Sequence, residues 1–266
     1  MAKTQGDCIL IKTAQGKFIL VDGGGSEFTD IAHRKLLPYL HHRGIREIWL
    51  MINTHPDTDH LQGLEAVIQE IRVRQVAIPD SMAVSDRYDG IKEMAAKQNI
   101  PIYRLYAGDD LSIEKGLSAR VLYPDHNDND RSTNNQSLVF YLRYGSFSTL
   151  LTGDIQAQGM HTLITEGELE PVTVVKVPHH GSKGSLLPAF YNETRPNWAV
   201  ISVGANNRFG HPHPLVLEEL ARRNIKIFRT DQNGAITVKT DGQSSSISSY
   251  RQPAIVRSTP RKPFAQ

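Results

Sequence analysis

The sequence predicts a single α/β domain. Short apolar runs alternate with longer amphipathic stretches along the chain, the pattern of strands joined through helices. Polar loops carrying histidine and aspartate follow the ends of several of those runs, where a rigid scaffold places its chemistry. The 266 residues are 39% hydrophobic and 22% charged, which is ample for a core and unlike a disordered or fibrous chain.

Residues 8–11 and 18–21 flank Gln15-Gly16 and read as a hairpin, closed by Asp22-Gly23-Gly24-Gly25. Residues 31–43 fit a helix with Leu36, Leu37 and Leu40 on one side and Gly44 as its stop. Residues 48–52 read as one buried strand, followed by a loop and a helix over 61–71. Strands at 73–78 and 102–106 enclose a helix near 91–97. After Gly116 the texture turns β-rich, with strands at 119–123, 138–144 and 147–151 and a helix near 155–164. Late strands are expected at 172–177, 198–203, 225–228 and 235–238, with a helix over 214–223.

Several classes are excluded. The longest apolar run, 48–52, is far too short to span a bilayer. Cys8 is the one cysteine, so there is no internal disulfide and no multi-cysteine zinc cage. The formal net charge of +2 does not by itself call for a nucleic-acid partner. Arg251, Arg257, Arg261 and Lys262 gather in a C-terminal stretch without acidic residues. The folded body is expected over 1–242, with 243–266 a basic, Pro/Ser-rich, flexible tail. The first residues run almost straight into a strand, with no secretory signal.

The chemistry concentrates in His55-Pro56-Asp57-Thr58-Asp59-His60, directly after a strand. A strand-to-helix loop turns alternate side chains into one cavity, so His55 and Asp57 can face one metal ion while Asp59 and His60 face another. A plain polar loop with an aspartate helix cap explains one aspartate, but not two histidines as well. Leu150-Leu151-Thr152-Gly153-Asp154 is an apolar strand ending in a carboxylate that can bridge two cations, with a helix-capping aspartate as the competing reading.

Val177-Pro178-His179-His180-Gly181-Ser182 is a third strand end, in which one histidine is expected to ligate and the other to orient a ligand or touch substrate. In the stiff loop Gly210-His211-Pro212-His213-Pro214, His211 is the candidate for a phosphate contact or proton donor, with His213 behind it. Pro214 also suits a first helical turn. Asn135 offers an amide to the site or an Asx turn, and with Ser182, Lys183 and His213 makes up the expected substrate side.

The His55–His60 motif, Asp22 and Asp154 at strand ends, and the late histidines resemble the metallo-β-lactamase superfamily. Gly6-Asp7-Cys8-Ile9-Leu10-Ile11, Thr152-Gly153-Asp154, Lys176-Val177-Pro178-His179-His180-Gly181-Ser182 and Gly210-His211-Pro212-His213-Pro214, in that order, are similar to the C-terminal hydrolase domain of ComEC-type competence proteins, the DNA-uptake channels of naturally transformable bacteria. The resemblance implies a four-layer αββα sandwich with a two-metal site on one edge and Asp22 orienting a ligand beside it. It also implies a membrane-channel portion separate from this chain, which would then be an excised domain or a free-standing relative.

The chain departs from the superfamily's common motif where Asp57 replaces a more usual histidine. It also lacks a clear histidine ligand between His60 and Asp154, since His126 lies in an Asn/Asp-rich loop. Both departures argue against β-lactam hydrolysis. They enrich the first metal position in oxygen, favouring Mn2+ over Zn2+, and suggest that substrate phosphate completes it.

The resulting expectation is a nuclease that hydrolyses DNA phosphodiesters with a metal-activated water. Two divalent ions are held by His55, Asp57, Asp59, His60, Asp154, His179 and His180, and Asp59 and His211 are the catalytic residues. The ions supply the positive charge that a near-neutral chain otherwise lacks for DNA. The resemblance further implies single-stranded DNA as partner, degradation of one strand during uptake, and a place at the outer face of the cytoplasmic membrane. Two competing expectations are a small-molecule or cell-wall phosphodiesterase of the phosphorylcholine-esterase type, and a DNA-guiding module without catalysis. Oligomeric state is not encoded legibly.

Overall fold

A computed structural model describes residues 6–126, 130, 132–251 and 255–258. The N-terminal hairpin forms where the apolar pattern places it, with β1 (Ile9–Lys12) antiparallel to β2 (Phe18–Val21). β3 (Glu47–Ile48), β4 (Leu50–Ile52), β5 (Arg72–Val73), β6 (Val76–Pro79) and β7 (Ile102–Leu105) follow. β2, β4, β6 and β7 are parallel neighbours in a five-stranded sheet of order β1-β2-β4-β6-β7, while β3 and β5 pair separately. The helices of this half are α1 (Leu37–His42), α2 (Thr58–Glu70) and α3 (Asp89–Gln98). A π-helical turn, Ala32–Leu36, leads into α1. Pro38 has no N–H to continue the ladder, and the turn widens so that the Leu37 N–H reaches the Ala32 carbonyl.

The second half begins with an antiparallel meander, β8 (Asp110–Glu114), β9 (Leu117–Tyr123), β10 (Val139–Tyr144) and β11 (Phe147–Leu151). It continues in parallel through β12 (Val174–Lys176), β13 (Trp198–Ile201) and β14 (Lys226–Arg229), completing a seven-stranded sheet. Between these strands run α4 (Ala157–Thr165), α5 (Pro188–Thr194) and α6 (Pro214–Arg222), and the short α7 (Thr230–Asn233) follows β14.

Strand alternation sorts the side chains into layers. Ile19, Val21, Leu50 and Ile52 meet Ala119, Val121, Phe140 and Leu142 between the sheets. Leu20, Met51 and Val76 pack outward on Leu40, Leu64 and Val67 of the first helical layer. Tyr141, Leu150, Val175 and Ala199 pack outward on Met160, Leu163, Phe190 and Leu220 of the second. A one-residue slip in any central strand would exchange these faces, so register is tightly specified. The result is the four-layer αββα sandwich that the motifs implied.

Several elements differ from the sequence reading. The strand expected over 48–52 is interrupted at Trp49, because Glu47–Ile48 pairs with β5 and Leu50–Ile52 with β2 and β6. α2 starts at Thr58 rather than near 61, which puts Asp59 and His60 on its first turn. β8 and α5 were not foreseen: the charged ends of β8 mask its pattern, and α5 has barely two turns.

The stretch expected as a flexible tail contains β16 (Ser245–Ser249) and β17 (Val256–Ser258), paired with β15 (Ile236–Thr240). Ile247 of β16 is fully buried against Val174 and Trp198, so this small sheet covers part of the larger one. Four serines around one isoleucine gave little hydrophobic signal. Arg261 and Lys262 of the basic stretch lie outside the described residues. Ile247→Ala should lower unfolding free energy by about 3 kcal/mol in urea titration, with a red shift of Trp198 emission.

Candidate metal centre

The candidate site lies at the C-terminal ends of parallel strands from both sheets, the edge where α/β folds commonly bind ligands. β2 leads to Asp22, β4 to 53–60, β11 to Asp154, β12 to His179 and His180, and β13 to the loop bearing His211. The Leu138 N–H donates to the Thr54 carbonyl (2.8 Å), joining the two halves beside the site.

Asp22 organises the first half. It sits in the left-handed region (φ 55°), which aspartate tolerates better than bulkier residues. Its buried carboxylate accepts from Asn53 Nδ2 (2.9 Å), Thr54 N (2.7 Å), Thr54 Oγ1 (2.7 Å) and His60 Nδ1 (2.7 Å). With its proton given to Asp22, Thr54 Oγ1 accepts from His55 Nδ1 (3.1 Å). A backbone clamp reinforces this arrangement: Gly23 N donates to the His60 carbonyl and Gly63 N to the Gly24 carbonyl. A Cβ at Gly63 would overlap the Gly23 backbone, so both glycines are required for α2 to approach.

The second half brings strained backbone. His179 (φ 45°) and His180 (φ 53°) both occupy the left-handed region, and the following Gly181 (φ 80°) packs on Pro212. Such strain persists where surrounding structure enforces it, commonly at functional sites. His180 Nδ1 donates to the Ser202 carbonyl (2.8 Å). Thus His55, His60 and His180 each commit Nδ1 as donor, leaving Nε2 to face the cluster.

Those three Nε2 atoms are buried without a hydrogen-bond partner. They converge on Asp154, whose Oδ2 lies 3.1 Å from His180 Nε2 and 3.4 Å from His60 Nε2. Asp59 Oδ2 lies 3.4 Å from His180 Nε2. The groups His55–His60–Asp154 and Asp59–His60–His180 each place their ligand atoms within 4.8 Å of one another. Inward-facing imidazole nitrogens and carboxylates at this spacing fit divalent cations of the zinc or manganese type.

Of the sequence candidates, His55, Asp59, His60, Asp154 and His180 are brought together, while the others lie at the rim or elsewhere. Asp57 occupies the N-cap position of α2 without making a cap bond. It pairs with Arg87 (2.6 Å), and its other oxygen stands 3.7 Å from His55 Nε2. His179 is partly exposed, with Nε2 3.8 Å from Asp154 Oδ2 and its ring edge-on to His211.

The residues expected on the substrate side have structural contacts of their own. Asn135 is buried with its amide occupied: Oδ1 accepts from Gln156 N (2.8 Å) and Nδ2 donates to Asp130 (2.5 Å). It fixes the loop after Asp154. Ser182 Oγ accepts from Gly184 N, and His213 Nδ1 caps α6 by accepting from Leu215 N (3.3 Å). Lys183 is exposed on the turn after His180. His126 stacks on Tyr106 and pairs with Asp80, in a different cluster.

The sequence reading assigned no role to Asp7 or Lys176. The Lys176 ammonium is buried between Asp7 Oδ2 (2.5 Å) and Asp154 Oδ1 (3.2 Å), and it donates to the Gly153 carbonyl (2.7 Å). This occupies one Asp154 oxygen and leaves the other to the histidines. Both stand in motifs that carry the family resemblance, but their role emerges only from their pairing across the fold.

Burial works against a charged His180, but Asp154 and Asp59 outweigh it and push its pKa up to about 9. His60 is likewise raised against burial by Asp154 and Asp22, whereas burial and the His60 cation lower His55. Burial and the neighbouring His179 and His180 lower His211 to about 4, so its imidazole is neutral at pH 7.

A family model described as the metallo-beta-lactamase superfamily matches residues 2–204. The chain belongs to that superfamily. It is 32% identical over 259 residues to ComE operon protein 3 of Bacillus subtilis, covering 92% of this chain and 33% of that protein. It is 31% identical over 224 residues to Recombination protein 2 of Haemophilus influenzae (84% and 26% covered), and 28% identical over 237 residues to Competence protein ComA of Neisseria gonorrhoeae (87% and 30%). The chain therefore spans about a quarter to a third of the length of these relatives. Zn2+-bound PqqB from Methylobacterium extorquens shares the fold, with TM-score 0.56, 11% identity and coverage of 85% and 87%. So does YhfI of Bacillus subtilis, with TM-score 0.54, 11% identity and coverage of 85% and 88%.

Two outcomes follow from the geometry. A cation entering the cluster must displace the His180 proton. Apparent affinity for Mn2+ or Zn2+ should therefore rise as pH climbs toward about 9, by about tenfold per unit for each proton released; calorimetry in buffers of different ionisation enthalpy counts those protons. Asp22→Asn, which cannot accept from all four donors, should weaken cation binding by about 10–100-fold in the same titration.

Proposed function

We propose that the chain is a metal-dependent phosphodiesterase that cuts DNA. The observation that carries this reading is the set of three buried, unpartnered imidazole Nε2 atoms converging on Asp154 Oδ2. Asp59, His60 and His180 would hold one divalent cation, and His55 and Asp57 a second, with Asp154 available to either. The second position has one nitrogen and more oxygen, which favours Mn2+ there over Zn2+. Divalent cations held by these residues would lower the pKa of a water and offset charge on the phosphoryl oxygens.

The chain's own residues do the positioning. Burial alone would raise the Asp59 carboxylate, but the His180 and His60 cations outweigh it and hold it ionised, which suits a ligand better than a base. Lys176 fixes Asp154 through Oδ1, so Oδ2 keeps its orientation. His211 and His179 line the rim, and the neutral His211 imidazole donates a hydrogen bond to a phosphoryl oxygen rather than acting as a cation.

DNA is favoured over other phosphodiesters by the relatives, whose names place them in competence and recombination. Their greater length supports a setting in which this domain works beside a membrane-channel portion, at the outer face of the cytoplasmic membrane, on the strand not taken up. Among the described residues no helix is long and apolar enough to cross a membrane.

The test is cleavage of end-labelled single-stranded DNA with Mn2+, compared with Zn2+ and with EDTA. Cleavage abolished by EDTA and by Asp154→Asn supports the proposal. Turnover of a small chromogenic phosphodiester with no cut DNA overturns the DNA assignment, and DNA binding with neither activity overturns catalysis. His211→Ala should lower kcat by about 100-fold while elemental analysis finds its metal content unchanged.

A further inference from the structure

Two exposed loops beside the cluster carry aromatic rings with no role in the core. Phe28 is 78% exposed and Phe209 55%, and they are the exposed phenylalanines among the described residues. The Arg208 guanidinium lies over both rings, 5.4 Å from the centroid of Phe28 and 5.0 Å from that of Phe209. Exposed rings are costly in water and uninformative singly. Here they are paired through a cation and lead directly to the site. Phe209 stacks on His211 at 5.7 Å, and His211 meets His179 edge-on at 5.7 Å. His179 Nε2 in turn lies 3.8 Å from Asp154 Oδ2.

Both loops are anchored to elements of the cluster. Asn207 fixes the 204–211 loop: its Nδ2 donates to the carbonyls of Gly204 (3.0 Å) and His211 (2.7 Å), and its Oδ1 accepts from Phe209 N and His211 N. The Phe28 loop is tied to α2, since Gln62 Oε1 accepts from Ser26 N (2.8 Å) and Ser26 Oγ from Phe28 N (3.2 Å). The rings are thus held in place at little entropic cost on binding. Besides the two rings, Arg208 meets Glu27 at 3.7 Å, an exposed pair that a phosphate can displace.

We infer that Phe28, Arg208 and Phe209 form a platform on which unpaired bases stack while the backbone of a single-stranded nucleic acid enters the cluster. Aromatic faces accept any base but reach only bases freed from a duplex, so the platform selects for strandedness and not for sequence. Arg208 adds a phosphate contact and a cation–π contribution. The inference rests on the phosphodiesterase reading for what happens to the strand, but not for its binding.

The experiment separates the two. In EDTA, which halts cleavage, fluorescence anisotropy compares a labelled oligothymidylate with an abasic strand of equal length and charge. The chain should bind the oligothymidylate about tenfold more tightly. Phe28→Ala with Phe209→Ala should bind both strands equally while keeping the parent melting temperature, and Phe28→Trp with Phe209→Trp should restore the preference. Equal affinity of the unaltered chain for both strands, or no measurable binding of either, overturns the platform. A retained base preference in a chain that cuts no DNA with any divalent metal leaves the platform standing and removes the phosphodiesterase reading.

Discussion

Three buried carboxylates, Asp7, Asp22 and Asp154, gather at one edge of the sandwich, and their charge is the constraint that the rest of the structure answers. Anions out of water are tolerable only when paired and fully hydrogen-bonded. Asp22 meets that demand with four donors, and Lys176 serves Asp7 and Asp154 together. What remains is Asp7 Oδ1, 3.6 Å from His180 Nδ1, and Asp154 Oδ2 with the inward faces of three histidines. Asymmetry between the two oxygens of Asp154 gives the cluster its direction: one faces a fixed ammonium, the other an adjustable partner.

The sandwich supplies rigidity and the strand ends supply chemistry. Every residue of the cluster follows a strand held by neighbours on both sides or lies on the first turn of α2. The loops themselves are kept from relaxing by glycine contacts at Gly23, Gly63 and Gly181 and by the side chain of Asn207. His179 and His180 hold left-handed conformations beside Gly181, which packs against Pro212 too closely to admit a side chain.

Much of this was legible in the sequence, for identifiable reasons. The buried parallel strands announce themselves as apolar runs, and the 55–60 motif, Asp154 and His180 stand at their ends. Elements failed to show where the signal is short or polar: β8 is framed by charges, and β16 hides one buried isoleucine among serines. The site was partly legible in the same way. Ligand-type residues cluster in sequence, but Asn135, Ser182 and His213 have their polar groups taken up by backbone or by Asp130, which no linear pattern discloses. Asp7 and Lys176 were silent because their significance lies in a pairing across 169 positions of chain.

The bond from Leu138 to Thr54 marks a seam, with His55, Asp59 and His60 on one side and Asp154 and His180 on the other. Neither half owns a complete coordination set. A ribosome-bound N-terminal half, or either product of a proteolytic nick between the sheets, would have only part of the grip. The cluster therefore doubles as a clasp: positive charge bound there is shared by side chains of both halves and adds to their cohesion, alongside the apolar layer between the sheets.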